Sequence, residues 1–214
     1  MQTHLHHGLL AAATMLCAVF GTPSVTAAQD RLPPIPAGEM TSTQKEAAAQ
    51  FEVIRGREVF GPFVPLLRSP ELMLRAASMG DYLRYKSALP PRLSEFVILI
   101  TARQWSQHYE WSIHHPEAIK AGLRPETAEA LAQGRRPDSL ADDEAIVYEY
   151  CQELHHNKSV SDRTYARAVA ILGEQATVDM IGVSGYYTLL AMVLNTARTP
   201  APPGPAPPLV MFPK

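Results

Sequence analysis

The chain has 214 residues, a formal net charge of −2 at pH 7 and near-equal numbers of basic and acidic side chains. That balance gives no electrostatic basis for a nucleic-acid or anionic-membrane partner. Of the two cysteines, Cys17 lies in an apolar leader, so Cys151 alone belongs to the folded part and no internal disulfide can form there.

Residues 1–28 read as a secretory signal peptide: residues 8–20 are almost purely apolar, and Val25, Thr26, Ala27 and Ala28 supply small residues for cleavage. The apolar core is short for a membrane span, so export to the periplasm or outside the cell is expected, with no membrane partner after cleavage. Residues 29–40 carry Pro33, Pro34 and Pro36 and form an extended leader. Residues 41–198 then read as a single domain long enough to bury a core. Seven of the nineteen prolines stand at or after Pro200, so residues 199–214 form a proline-rich tail suited to polyproline II. Such a tail is either solvated or laid across a neighbouring subunit.

Between these ends the chain reads as helices with short joints. Ser42 or Thr43 caps a helix to about Phe60, where Gly61-Pro62 breaks it. Ser69-Pro70-Glu71 opens the next, with Leu72, Leu74, Ala76 and Met79 as apolar positions, to about Ala88. Pro90-Pro91 starts a central helix that carries through His115, since proline is tolerated in a first turn and Pro116 at most kinks the helix at that point. The β-branched run at residues 97–100 also suits a buried strand, but no other segment offers a partner strand. Ala121-Gly122 ends that piece, and Pro125-Glu126 begins a short helix to about Gln133. Asp142 and Asp143 favour a start near residue 141, with Ile146, Val147, Tyr150, Cys151 and Leu154 inward and an end at His156. Ser161 caps a helix through Leu172. A last helix from about Glu174 to Asn195 carries Val178, Ile181, Val183, Tyr187, Leu190, Met192 and Leu194. The fold class is therefore all-α.

The chemistry concentrates in residues 95–115, EFVILITARQWSQHYEWSIHH. Behind the apolar run stand Gln107, His108, Tyr109, Glu110, His114 and His115. On a helix, Gln107, Glu110 and His114 share one face at i, i+3 and i+7, and His108, Trp111 and His115 form the next stripe. A carboxylate and an imidazole one turn apart make an acid/base pair. The plain reading of the same pair is a core histidine hydrogen-bonded for structure, with Glu95 salt-bridged to Arg103 and Gln107 satisfying backbone at a helix start. Trp111, Tyr186 and Tyr187 equally suit packing. His155 and His156 suit a solvated helix C-terminus, where imidazolium complements the dipole. Glu110 and His114 also have helical ligand spacing, with His108 or His115 as a third donor, but this matches no zinc signature. Neither a metal nor a cofactor is expected.

The order of features resembles the carboxymuconolactone decarboxylase family, which includes the alkylhydroperoxidase D-type proteins. The likeness covers roughly residues 45–198. It rests on Glu95 in a buried helix, the segment ARQWSQHYEWSIH and the later VSGYYTLLAMVLN. It implies an all-helical array that assembles into trimers or hexamers. Redox members carry a C-x-x-C with a histidine four residues on and an upstream glutamate. On this chain the glutamate matches Glu95 and the histidine His114, while the cysteine positions fall on Gln107 and Glu110. Neither an amide nor a carboxylate replaces a thiolate in peroxide reduction, so the redox activity is not expected. Decarboxylase members lack the cysteine pair. By that resemblance the protein is a cofactor-free lyase acting on a small carboxylated lactone or related acid. His114 is then the proton donor, with Glu110 and Glu95 setting its charge. Arg103 grips a carboxylate, Tyr109 donates to the oxyanion, and Gln107 and Trp111 complete the pocket. A non-catalytic periplasmic ligand-binding or assembly module using the same pocket is the alternative.

Overall fold

The computed structural model describes residues 29–207 and 209, and the leader expected over residues 1–28 lies outside them. Among the described residues there are nine helices and no strand. They are α1 (Ser42–Arg55), α2 (Phe63–Leu66), α3 (Pro70–Tyr85), α4 (Pro91–Gln104), α5 (His108–Lys120), α6 (Pro125–Ala132), α7 (Asp142–Asn157), α8 (Asp162–Leu172) and α9 (Glu174–Ala197).

The starts follow local chemistry. Thr41 and Gln44 form a reciprocal capping box on α1, and the Ser161 side chain accepts from the Thr164 amide at the head of α8. Pro70, Pro91 and Pro125 each stand at the first turn of their helix, where a missing N–H costs nothing. α1 stops at Gly56, in the left-handed region at φ 65°, five residues before the expected Gly61-Pro62 break.

α4 is the centre of the domain, packed against α5, α6, α7 and α9. Phe96, Val97, Ile98, Leu99, Ile100 and Ala102 are all buried, which is why this run shows no polar face. Arg92 near its start joins Asp143 at 2.7 Å and also Glu144, fastening α4 to α7. α3 is tied to α9 through Asp179, which accepts from the Tyr82 hydroxyl at 3.0 Å and the Ala88 amide at 2.7 Å. α9 is long and apolar enough by length and composition to cross a membrane. Here it packs as a core helix, with Val183, Tyr187, Leu190 and Leu194 inward; Val178, Ile181 and Met192 face outward.

The expected continuous helix from Pro91 through His115 is two helices. Trp105 closes α4, Ser106 turns at φ 46°, and the Gln107 side chain caps α5 by accepting from the Tyr109 amide. α5 runs on through Pro116 to Lys120.

The two proline-rich ends are docked on their own domain. The Arg31 amide donates to the Ala197 carbonyl at 2.7 Å, and Arg68 reaches the Pro33 carbonyl at 2.8 Å. The tail turns back over α5, where the Trp111 indole N–H donates to the Pro207 carbonyl at 2.9 Å and Leu209 is buried. In the single chain, residues 202–205 line a cavity of this same domain.

Candidate active site

The break at Ser106 assembles the site. Glu95 and His114 are 19 residues apart, which on one straight helix is about 28 Å. Folding α5 back on α4 instead brings His114 Nδ1 to 2.6 Å from Glu95 Oε2. The other ring nitrogen, Nε2, faces Glu110 Oε2 at 3.5 Å, one turn earlier on α5. His114 therefore sits between two carboxyl groups, with its ring edge against Tyr187 of α9 at 4.9 Å between centroids. Arg84, in the last turn of α3, approaches the far oxygen of Glu95 at 3.9 Å.

A cavity of about 600 Å³ opens in front of this array, and His114 and Glu110 line it along with Tyr109, Tyr186 and Tyr187. Its basic wall is Arg55, Arg57 and Arg84, and its cover is Pro202, Pro203, Gly204 and Pro205 from the tail. Two glycines give the phenols their places. A Cβ on Gly80 would stand 2.3 Å from the Tyr186 hydroxyl, and one on Gly61, at φ 54°, would stand 2.8 Å from the Tyr109 hydroxyl.

Burial dominates the electrostatics. It pushes the Glu110 carboxyl above its ordinary value, with His114 and Arg84 opposing and Glu95 adding to the rise. Glu110 Oε1 is buried without a hydrogen-bond partner among the described residues, an environment that suits a carboxyl keeping its proton. Burial raises the Tyr109 and Tyr187 phenols and pushes Tyr186 up to about 12, leaving all three as neutral donors. Burial works against the charge of Arg84, but Tyr187, Tyr85, Glu95 and Glu110 outweigh it and hold the guanidinium above its usual value. A glutamate on one side and a carboxyl that favours its proton on the other make a short proton path with His114 at its middle.

Of the residues singled out from the sequence, Glu95, Glu110, His114 and Tyr109 come together here, with Glu95 directly behind His114. The other expected contributors stand elsewhere. Arg103 is buried on another face of α4, donating to the Ala132 carbonyl at 3.3 Å, so it neither bridges to Glu95 nor reaches this space. Gln107 spends its amide as the cap of α5 and as donor to Asn195 at 2.9 Å. Trp111 is buried and holds the tail rather than the cavity. His115 packs its ring on Trp111 at 5.5 Å, and His108 lies within the field of Arg103. His155 is not a solvated cap: burial, then Lys158 and His156, lower it to about 4, and its Nε2 meets Ser184 Oγ at 3.1 Å.

Sequence reasoning missed Arg55, Arg57, Arg84 and the tail. No local spacing announces them, because they reach the cavity from the ends of α1 and α3 and from the C-terminal segment. Cys151 is fully buried in α7 with its thiol pushed up to about 12, and no cysteine lines the cavity. Among the described residues no three His, Cys, Asp or Glu side chains converge as metal ligands.

Two solved structures share the architecture. The debrominase Bmp8 without ligand aligns at a TM-score of 0.61 with 10% identity, covering 80% of this chain and 91% of that one. A cysteine-to-alanine variant of Bmp8 in complex with 2,3,4-tribromopyrrole aligns at a TM-score of 0.62 with 10% identity, over 83% and 94% of the two chains. No protein-family model matches the sequence, and no curated protein does. The chain thus has the all-α fold of the alkylhydroperoxidase D type.

Proposed function

We propose that this protein is a cofactor-free carboxy-lyase that moves protons through Glu95, His114 and Glu110 while a small carboxylated lactone or related acid sits in the cavity. The observation that carries the reading is the Glu95–His114–Glu110 array, with His114 and Glu110 buried and bordering a cavity of about 600 Å³. With the chain exported, the activity belongs to the periplasm or the cell exterior, and the resemblance to assembled helical arrays makes the working unit a trimer or hexamer.

In the reaction, the bond from carbon to the substrate carboxylate breaks and carbon dioxide leaves. The electron pair passes into the conjugated carbonyl, whose oxygen becomes an enolate. The neutral phenol of Tyr109 donates to that oxygen. A proton held on the Glu110–His114 pair then goes to carbon, and a proton from bulk water restores the pair after product release. Glu95, bonded to Nδ1, fixes which ring nitrogen faces Glu110 and supports the charge of the imidazolium as it forms. A thiol takes no part, because the one cysteine among the described residues is buried away from the cavity.

The test is a panel of carboxylated lactones and β-keto acids incubated in heavy water. The expected products have lost carbon dioxide and carry one deuterium on the carbon that bore it, and Cys151→Ser retains the turnover. Recovery of every acid unchanged, or turnover that disappears with Cys151→Ser, rejects the lyase reading.

A further inference from the structure

The cavity is also lined by three guanidiniums, Arg55, Arg57 and Arg84, that the proton relay does not use. Arg55 ends α1 and Arg84 stands in the last turn of α3, and these two helices pack on each other. A cation near a helix C-terminus ordinarily needs no more than the dipole to account for it. Here, however, the Nε atoms of both Arg55 and Arg84 are buried without a hydrogen-bond partner among the described residues. A buried guanidinium N–H without an acceptor carries a desolvation cost that a ligand would relieve. Arg84 stands in the field of Glu95 and Glu110, with Glu95 at the long distance of 3.9 Å as its ion-pair contact among the described residues, and neither Arg55 nor Arg57 has an ion-pair partner among them. Two other acids that line the cavity stand beside lysines, Asp81 with Lys86 at 2.7 Å and Glu117 with Lys120 at 3.8 Å.

Each of these groups lies over an aromatic ring. Arg55 lies 5.2 Å from the centroid of Phe63, Arg57 3.7 Å from that of Phe60, and Arg84 5.2 Å from that of Tyr85. A guanidinium attracted to a ring can still offer N–H groups to a planar acceptor. Both Arg55 and Arg84 also act against burial on the Tyr186 phenol, Arg55 in addition as a hydrogen-bond donor to it, so the two charges address one region of the cavity.

We propose that Arg55 and Arg84, with Arg57 at the rim, form a carboxylate subsite that orients a planar, conjugated acid with its reacting carbon toward His114. This deepens the lyase reading and rests on it for the direction in which the substrate points. It also replaces Arg103, which lies on another face of α4, as the grip on the acid.

The experiment measures binding of benzoate, benzamide and inorganic phosphate to the full chain by calorimetry, for the parent and for Arg55→Gln, Arg84→Gln, Arg55→Lys and His114→Gln. Benzoate should bind, and benzamide should bind at least about tenfold more weakly, since a hydrogen bond to a charged group is worth that much. Arg55→Gln and Arg84→Gln should each weaken benzoate by about tenfold or more. Arg55→Lys, which keeps the charge and loses the fork, should fall between. His114→Gln should leave benzoate affinity within about threefold. The parent's benzoate affinity should also fall with added salt, which tests the charge without any variant. Equal binding of benzoate and benzamide, no benzoate binding, or unchanged affinity in Arg55→Gln overturns the subsite. Phosphate binding as tight as benzoate overturns its planar-acid form. If benzoate binds through Arg55 but no acid of the lactone panel turns over, the subsite stands and the lyase reading fails. Turnover indifferent to Arg55→Gln has the opposite meaning.

Discussion

His114 Nδ1 lies 2.6 Å from Glu95 Oε2, and this contact fastens α5 to α4 across the turn at Ser106. The same bond orients the imidazole so that its other nitrogen meets Glu110 at the cavity wall. One side-chain pair thus closes a helical hairpin and sets up the candidate chemistry.

The buried groups give two opposed pH dependences of stability. Glu110 is raised above 4.5 in the fold, first by burial, so its contribution is complete below about pH 4.5 and is lost as pH climbs through the folded value. Glu110→Gln should therefore gain melting temperature relative to the parent as pH rises. His155 is lowered from 6.5 to about 4, first by burial, so its contribution is present above pH 6.5 and is lost as pH falls toward 4. His155→Gln should flatten the acid side of the profile between those values. Thermal melts from pH 4 to 9 check both; parallel profiles for parent and variants would contradict the assignment.

The tail is held by a removable hydrogen bond. Trp111→Phe keeps a ring in the core and deletes the N–H that reaches the Pro207 carbonyl. Losing one such bond costs about 1 kcal/mol, or about 2–4 °C for a domain of this size. Because residues 202–205 line the cavity, proteolytic cleavage within the tail should quicken in the variant while the helical domain stays resistant. Unchanged cleavage of the tail would show that this bond does not hold it.

Much of this site was legible because helix spacing is a local property. Glu110 and His114 pair at i, i+4, and the apolar run after Glu95 marks the centre of the core. The break in the central helix was not legible: Ser106, in the left-handed region, is neither glycine nor proline, and Gln107 is a cap that reads equally well as a helical residue. Its placement at i, i+3 from Glu110 held only for a helix that had already begun. Arg103 misled for a related reason. Eight residues from Glu95 is near the same face of α4, but Glu95 finds His114 and Arg84 across helices, and Arg103 finds the end of α6. Arg55, Arg84 and the tail join the cavity only through tertiary packing, which no local pattern encodes.

The outward apolar residues bear on assembly. Val178 is 64% exposed, and Ile181 and Met192 on the same helix and Leu72 and Met79 on α3 are also open in the single chain. We propose that such faces are covered by further copies of the chain. Light scattering on residues 29–214 should report a trimer or larger, and Val178→Lys with Ile181→Lys should shift it toward smaller species. A parent that is a stable monomer at micromolar concentration would contradict the assembly.

The relay itself is tested most directly by His114→Gln, which keeps roughly the volume and a hydrogen bond but loses the titrating nitrogen. General acid catalysis is typically worth about a hundred- to ten-thousandfold. On whichever acid of the lactone panel the parent consumes, kcat should fall by that order while the affinity for benzoate stays within about threefold. Full turnover in His114→Gln would show that His114 is not the proton donor and would leave the fold without this mechanism.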